Sequence, residues 1–192
     1  MNSFLSRFLL QLILFFGFSW MLLDMPCPAA SAALIQAQDV DGKKVVLNAE
    51  NRIDVIIYST RVLQSKTRAA GKSLYPLQGQ SELRVIVVID LRNSFAQFAK
   101  DYTLKRAQKD LDEEAKRLRP YYRKNGNFSS PRPDLSAIAD FDGALCRKLG
   151  WDKPSDTLQV IIYDRNGKEV NRWNDLKNYS ELRREVKRLL LP

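Results

Sequence analysis

The fold is decided by residues 157–173, which read TLQVIIYDRNGKEVNRW. Thr157 to Tyr163 is largely apolar and rich in β-branched residues, a pattern typical of a buried strand. Asp164-Arg165-Asn166-Gly167 follows, and Asn-Gly accepts positive φ at both central positions of a hairpin turn. Glu169 to Trp173 then returns antiparallel. These residues therefore predict a β-hairpin whose first strand lies inside a sheet.

Two earlier apolar runs predict further strands. Ile53 to Tyr58 is interrupted only by Asp54, and a second run extends from Leu83 to Ile89. Helical spacing predicts helices over 62–74 and 94–119, one after each run. Because parallel strands must be joined by crossovers, we expect both runs to be parallel strands of one sheet, with these helices as the crossovers.

The longer of these helices has predicted ends. Ser94 opens it and Gln97 lies three residues later, which is a capping box. Pro120 is expected to end it, because the residue before a proline disfavours the helical conformation. The stretch 121–133 is expected to be a loop.

Shorter elements complete the predicted order. Residues 39–47 read as a turn and a short strand, and 135–139 as another short strand. A helix over 142–149 is followed by Gly150, where a left-handed residue belongs. Asn178 caps a last helix. The order is β-α-β-α-β-α-β-β-α, and we expect a central sheet of about four strands from 53–58, 83–89, 157–163 and 169–173.

Residues 1–32 have the features of a secretory signal peptide. Met1–Arg7 carries one positive charge, residues 8–23 are almost wholly apolar, and Ala30-Ser31-Ala32 offers a small-x-small cleavage site. The apolar run is 16 residues long, shorter than the ~20 residues of a spanning helix. We therefore expect an extracytoplasmic protein, periplasmic or secreted, with one mature domain over 33–192. The alternative is an uncleaved signal anchor, in which residues 8–23 associate with the membrane.

Composition narrows the function classes. Hydrophobic content of 45% and charged content of 28% are ordinary for a folded domain. The net charge of +9 favours an anionic surface or serves solubility, and export argues against nucleic acid as the partner. The chain has no histidine, which excludes Ser-His-Asp and Cys-His catalysis and most zinc sites. We expect no cofactor and no metal, and a protein or an anionic surface as the partner.

Three stretches resemble the thioredoxin-like superfamily, in the branch that holds peroxiredoxins and exported thiol oxidoreductases. Residues 40–47 (VDGKKVVL) resemble its opening hairpin, 138–150 (IADFDGALCRKLG) its aspartate-glycine segment, and 160–173 its closing hairpin. The resemblance covers nearly all of residues 33–192. It implies an α/β fold, a three-layer α/β/α sandwich around a mixed sheet with an N-terminal hairpin extension.

The active-site cysteines of that family are missing. Ile57 to Thr60 resembles the approach to the family's Trp-Cys-x-x-Cys motif, which places Val62 and Ser65 at the two cysteine positions. Valine has no thiol chemistry, and serine cannot cycle through a disulfide. The family's cis-proline before the third central strand also has no counterpart, because Asp156 precedes Thr157.

The degenerate active-site position is the first candidate site. Thr60, Arg61, Ser65 and Lys66 cluster where a helix is expected to begin. Backbone N–H groups, the helix dipole and two cations would suit an anion or another ligand there. Ordinary capping and solvated charges are the alternative interpretation.

The second candidate is the thiol of Cys146, the one cysteine of the expected mature domain. It is either a small buried side chain or a reactive thiol, with Arg147 and Lys148 nearby to lower its pKa. Two functions follow. The first is an exported, redox-inactive thioredoxin-like binding or scaffold module. The alternative is a thiol-dependent oxidoreductase or peroxidase-like enzyme that uses Cys146 alone.

Overall fold

Apolar runs of the sequence form a five-stranded mixed sheet in a computed structural model of the chain, which describes residues 33–80, 82–92 and 98–191. The strands are β1 (Gln36–Gln38), β2 (Lys44–Val46), β3 (Ile53–Ser59), β4 (Leu83–Asp90), β5 (Leu135–Asp140), β6 (Val160–Tyr163) and β7 (Glu169–Trp173). The helices are α1 (Gln64–Ser73), α2 (Lys100–Lys124), α3 (Ala144–Lys148) and α4 (Tyr179–Leu190). The predicted signal peptide and the Ser94–Gln97 capping box lie outside the described residues.

The sheet has the order β5-β4-β3-β6-β7. β3, β4 and β5 are mutually parallel, whereas β6 and β7 are antiparallel to their neighbours. The predicted parallel pair and closing hairpin are thus confirmed. The sheet has five strands where four were expected. The additional strand is β5, which pairs in parallel with β4.

Alternate side chains of the strands face two helical layers. On one face Val55, Ile57 and Val160 pack under α1 and α4, and β5 packs under the apolar stripe of α2. On the other face Ile56, Tyr58 and neighbouring residues pack under α3 and the β1–β2 hairpin. The architecture is therefore the expected three-layer α/β/α sandwich with an N-terminal hairpin. These cores lie within one compact unit, 34–192.

The turn of the N-terminal hairpin contacts the β5 edge of the sheet. Val40 N–H donates to the carbonyl of Ala137 in β5 at 2.9 Å, and Gln108 Nε2 of α2 donates to the carbonyl of Val40 at 2.7 Å. An uncovered edge strand invites pairing with other chains. The hairpin turn therefore occupies one backbone group of this edge strand.

One ion pair joins β3 and β4 near the amino-terminal ends of these strands. Asp54, which interrupts the apolar run of β3, has no exposed surface and forms an ion pair with Arg84 at 2.7 Å. The two residues are register partners in β3 and β4. Burial raises the pKa of the Asp54 carboxyl, and the Arg84 guanidinium opposes that shift. Arg84 also donates to the carbonyl of Val46, so the pair anchors the end of β2.

The prediction that Pro120 ends the long helix was wrong. α2 runs through Pro120 to Lys124. Tyr122 is buried and donates to Asp134 Oδ2 at 2.8 Å, and the Tyr121 ring lies 5.2 Å from that of Tyr75. These tertiary contacts hold the last turn in helical form although proline removes one backbone hydrogen bond.

Two other predicted boundaries were too wide. The helix expected over 142–149 begins at Ala144, because Gly143 has a left-handed φ of 74°. The strand expected from Thr157 begins at Val160. Gly150 has the expected left-handed conformation, with a φ of 74°.

The turn between β6 and β7 also differs from expectation. Gly167 has a φ of 69°, whereas Asn166 does not have a positive φ. The Asp164 carboxylate accepts hydrogen bonds from the N–H groups of Asn166 and Lys168, at 2.9 and 3.0 Å. The aspartate therefore organises a longer turn in which glycine alone takes the left-handed conformation.

Candidate binding site at the carboxyl edge of the sheet

The candidate site lies where the three parallel strands end. Ser59, Asp90 and Asp140 are the last residues of β3, β4 and β5. Asp90 and Asp140 are register partners, and Ser59 is the partner of Ile89. The carboxyl edge of parallel strands is where open α/β sheets bind their ligands. The structure therefore places the predicted degenerate site at a favourable edge.

The predicted site residues surround the start of α1. The helix begins at Gln64, two residues later than predicted, so Val62 lies in the preceding turn with 72% of its surface exposed. Arg61, Ser65 and Lys66 are exposed. Leu63 occupies the N-cap position, and no side chain caps the helix. The first turn thus presents uncapped N–H groups, but no observation identifies an anion as their ligand.

Thr60 is the most unusual of these residues. Its hydroxyl oxygen is buried and has no hydrogen-bond partner among the described residues. The side-chain oxygen of Gln159, beside the start of β6, is likewise buried without a partner. An unpartnered buried polar atom costs about 1–3 kcal/mol. Both atoms lie at the ends of the paired strands β3 and β6, where the predicted site is located.

A groove of about 370 Å³ opens beside α1. It is lined by Lys66 of α1, by the loop before β6, by the loop after β7 and by the first residue of α4. The lining beyond Lys66 is Asp156, Thr157, Asp175, Leu176, Lys177 and Tyr179. Thr157 Oγ1 donates to the carbonyl of Asn174 at 2.8 Å, which ties the two loops together. Two cations, Lys66 and Lys177, and two carboxylates, Asp156 and Asp175, line the groove, and Lys177 pairs with Asp175 at 3.2 Å. The groove therefore has a polar lining.

Sequence reasoning missed a buried polar network behind this edge. Arg92 forms an ion pair with Asp90 at 2.8 Å, and Tyr58 Oη donates to the same carboxylate at 2.8 Å. The N–H of Ser155 donates to Tyr58 Oη at 2.9 Å. Burial opposes ionisation of Asp90, but the hydrogen bonds from Arg92 and Tyr58 outweigh it and hold its pKa below the usual value. In the sequence, the one sign of this network was Asp90, an aspartate directly after the apolar run 83–89.

Cys146 lies in α3 on the inner side of the same network. It has no exposed surface, and its backbone N–H donates to Asp140 Oδ2 at 2.7 Å. Burial, together with the neighbouring Asp140 carboxylate, raises the pKa of the Cys146 thiol, and the carboxylate of Asp90 adds to this. Arg92 opposes the shift only weakly by comparison. A reactive cysteine needs an exposed, electropositive setting, and Cys146 has neither.

The described residues at this edge carry no activated thiol. Val62 and Ser65 occupy the exposed helix start, and Cys146 is buried behind it. Across 33–80, 82–92 and 98–191, no group of three or more acidic or cysteine side chains is placed to hold a metal ion. In the same residues no helix has the length and apolar character needed to cross a bilayer.

Solved structures with this architecture are thiol-disulfide oxidoreductases and thioredoxins. A thiol-disulfide oxidoreductase from Bacteroides fragilis is 15% identical, with a TM-score of 0.53 over 83% of this chain and 99% of that chain. The exposed lipoprotein thioredoxin Etrx1 of Streptococcus pneumoniae is 16% identical, with a TM-score of 0.51 over 82% and 100%. StoA of Bacillus subtilis is 10% identical, with a TM-score of 0.50 over 83% and 99%.

The chain therefore has the thioredoxin-like fold. No protein-family model matches its sequence, and no curated protein matches it. At these identities the likeness identifies the fold alone, so function has to be argued from the residues at the site.

Proposed function

We propose that this protein is an exported, redox-inactive thioredoxin-like domain that binds a protein partner at the carboxyl edge of its sheet. One observation carries the proposal: Val62 and Ser65 stand at the exposed start of α1, while Cys146 is fully buried. Disulfide exchange requires an accessible thiolate and a second thiol to resolve the mixed disulfide. The described residues offer neither.

The alternative is a thiol-dependent enzyme that uses Cys146. It draws on the position of that cysteine beside Asp90 and Arg92, at the edge where the candidate site lies. The test is insulin reduction and peroxide consumption with excess dithiothreitol, for the wild type and for Cys146→Ser. We expect no turnover from either protein. Wild-type turnover that Cys146→Ser abolishes would replace the binding-module proposal with the enzyme.

Partner binding has its own test. The wild type, a Val62→Asp/Lys66→Glu variant and a Lys187→Glu control on α4 are used as baits with extract of the exported compartment. We expect a partner that the wild type and the control retain and the Val62/Lys66 variant loses, because the two substitutions alter the helix start and the groove. Equal retention by all three baits would place the binding surface elsewhere.

Export is proposed from residues 1–32, and Etrx1, an exposed lipoprotein thioredoxin with this fold, supports a role outside the cytoplasm. Intact-mass measurement on protein recovered from its native host is the test. We expect a chain beginning near Ala33. A mass that retains residues 1–32 would instead indicate a membrane-anchored protein.

A further inference from the structure

A row of basic side chains lies along the outward surface of α2. We call Lys105, Lys109, Lys116 and Arg123 the basic face; all four are exposed, and the exposed Tyr102 lies at its N-terminal end. At 3.6 residues per turn, their spacing keeps them on one side of the helix. The opposite side is buried against the sheet and consists of Ala107, Leu111, Ala115, Leu118 and Tyr122. The basic face therefore points away from the core and plays no part in packing.

The charge of the basic face is only partly compensated among the described residues. Glu113 pairs with Lys116 at 2.9 Å and also interacts with Lys109, so it offsets part of the charge. Asp112, at the margin of the face, pairs instead with Arg132 at 2.7 Å. Lys105, Lys109 and Arg123 form no ion pair with any described residue, and cations in a row raise the local positive potential and attract an extended anionic surface.

Exposed aromatic side chains lie at one end of this row. Phe98, just before α2, is 90% exposed, and Tyr102 in its first turn is 70% exposed. Large exposed apolar side chains mark contact surfaces, and aromatic rings favour the headgroup region of a bilayer. A soluble polyanion would use only the cations. A bilayer contacts both the cations and the aromatic rings, since lysines bind the anionic headgroups and aromatic rings insert into the interfacial region.

We propose that the outward face of α2 docks this domain on an anionic lipid bilayer, with Lys105, Lys109, Lys116 and Arg123 against the headgroups and Phe98 and Tyr102 in the interface. The helix has 25 residues, which gives a straight face about 37 Å long. The cations are distributed along that face and suit a planar surface. This docking uses a different surface from the groove beside α1 and does not depend on redox inactivity.

The test is co-sedimentation of residues 33–192, which hold all the described cores, with vesicles. One set contains phosphatidylglycerol and phosphatidylcholine in equal parts, and the other contains phosphatidylcholine alone. We expect binding to the anionic vesicles that weakens as salt rises. Lys105→Gln/Lys109→Gln should lower the partition coefficient about fivefold for each cation, roughly 25-fold together. Phe98→Ser/Tyr102→Ser should also weaken binding to these vesicles.

The matched control is Lys148→Gln/Lys153→Gln, which removes two exposed cations at the end of α3 and in the loop after it. We expect this control to bind within about twofold of the wild type, and all variants to keep the wild-type melting temperature. An equal loss in the control would overturn the proposal, because net charge alone would then account for binding. Retention on heparin without any binding to vesicles would overturn it in favour of a soluble polyanion.

Discussion

Asp90 and Arg92 join separate parts of the chain at the carboxyl edge of the sheet. Arg92 donates to the Asp90 carboxylate and to the carbonyls of Trp151 and Asp152, at 3.0 and 2.5 Å respectively. Tyr58, at the other side of Asp90, carries the contact to Ser155. The end of β4 was predictable from its apolar run. Arg92 is a local partner of Asp90, two residues further along the chain. Tyr58 was not predictable as a partner, because it lies 32 residues away and meets Asp90 only in the folded sheet.

Asp90→Asn tests this network through pH. The carboxylate has a pKa below its ordinary value of 3.8 in the folded protein. Its stabilising contribution is therefore fully present above that value and is lost as pH falls through the folded pKa. We expect Asp90→Asn to lower the free energy of unfolding by about 2 kcal/mol at neutral pH. The difference from wild type should shrink below about pH 4.

Urea unfolding at neutral pH and at about pH 3.5 measures both quantities. Tyr58→Phe is the control, since it keeps the carboxylate and removes the hydroxyl that donates to Asp90 and accepts from Ser155. The loss of these two hydrogen bonds should cost about 2 kcal/mol. A wild-type advantage over Asp90→Asn that stays constant across this pH range would contradict the assigned role of the ionised carboxylate.

Arg84→Met tests the buried pair at the other end of the strands. Asp54 would keep only the long hydrogen bond from the Ala49 N–H, at 3.4 Å, and an uncompensated buried charge costs about 3–5 kcal/mol. We expect the free energy of unfolding to fall by about 3 kcal/mol. Adding Asp54→Asn should restore part of the loss, because the uncompensated charge disappears. If the double variant is less stable than Arg84→Met alone, then the pair does not stabilise the fold through charge compensation.

At the scale of elements, local sequence rules located strands and helices better than their ends. Pro120 is a good local signal for a helix end, but Tyr121 and Tyr122 pack against other parts of the chain and extend α2 by one turn. The start of α3 is set by the left-handed Gly143. Hydrophobic periodicity carries no information about the contacts of Tyr121 and Tyr122 or about the backbone conformation of Gly143. This explains why the observed ends of these helices differ from the predicted ones.

Gly143→Ala tests how closely α3 approaches the edge network. Gly143 has a φ of 74°, and a Cβ there would overlap Arg92 Cδ. Gly126→Ala is the matched control, since Gly126 has a φ of 77° with nothing within 4 Å of its Cβ position. Alanine in this conformation costs about 1–2 kcal/mol. We expect Gly143→Ala to cost more than Gly126→Ala by about 1 kcal/mol, because Arg92 must also leave Asp90.

Equilibrium unfolding of the two alanine variants gives that difference directly. The difference should shrink in an Asp90→Asn background, where displacing Arg92 breaks its bonds to the carbonyls of Trp151 and Asp152 but no ion pair with Asp90. Equal destabilisation by the two alanines in the wild-type background would mean that Arg92 moves aside without cost.

At the scale of the whole molecule, the residue pattern predicted the layers and the parallel pair, whereas the sheet order needed the structure. The placement of β5 beside β4 depends on contacts between its short strand, α2 and the hairpin at Val40. The candidate site was predicted from the position of Val62 and Ser65, and its location at the carboxyl edge follows from the fold. The groove beside α1 could not be predicted, because its walls come from three separate segments.

Val62→Cys/Ser65→Cys tests whether the missing chemistry is all that separates this domain from its structural neighbours. Val62 is 72% exposed beside the uncapped start of α1, where a helix N-terminus lowers the pKa of a thiol. We expect the double variant, in a Cys146→Ser background, to reduce insulin slowly with dithiothreitol. Val62→Cys alone should not turn over, since it lacks a resolving thiol. The contrary outcome is a folded double variant that has both thiols accessible to a labelling reagent and still fails to exchange disulfides. In that case the site differs from its structural neighbours in more than the two cysteines. The unpartnered Thr60 hydroxyl and the loop before β6 would be the first places to look for that further change.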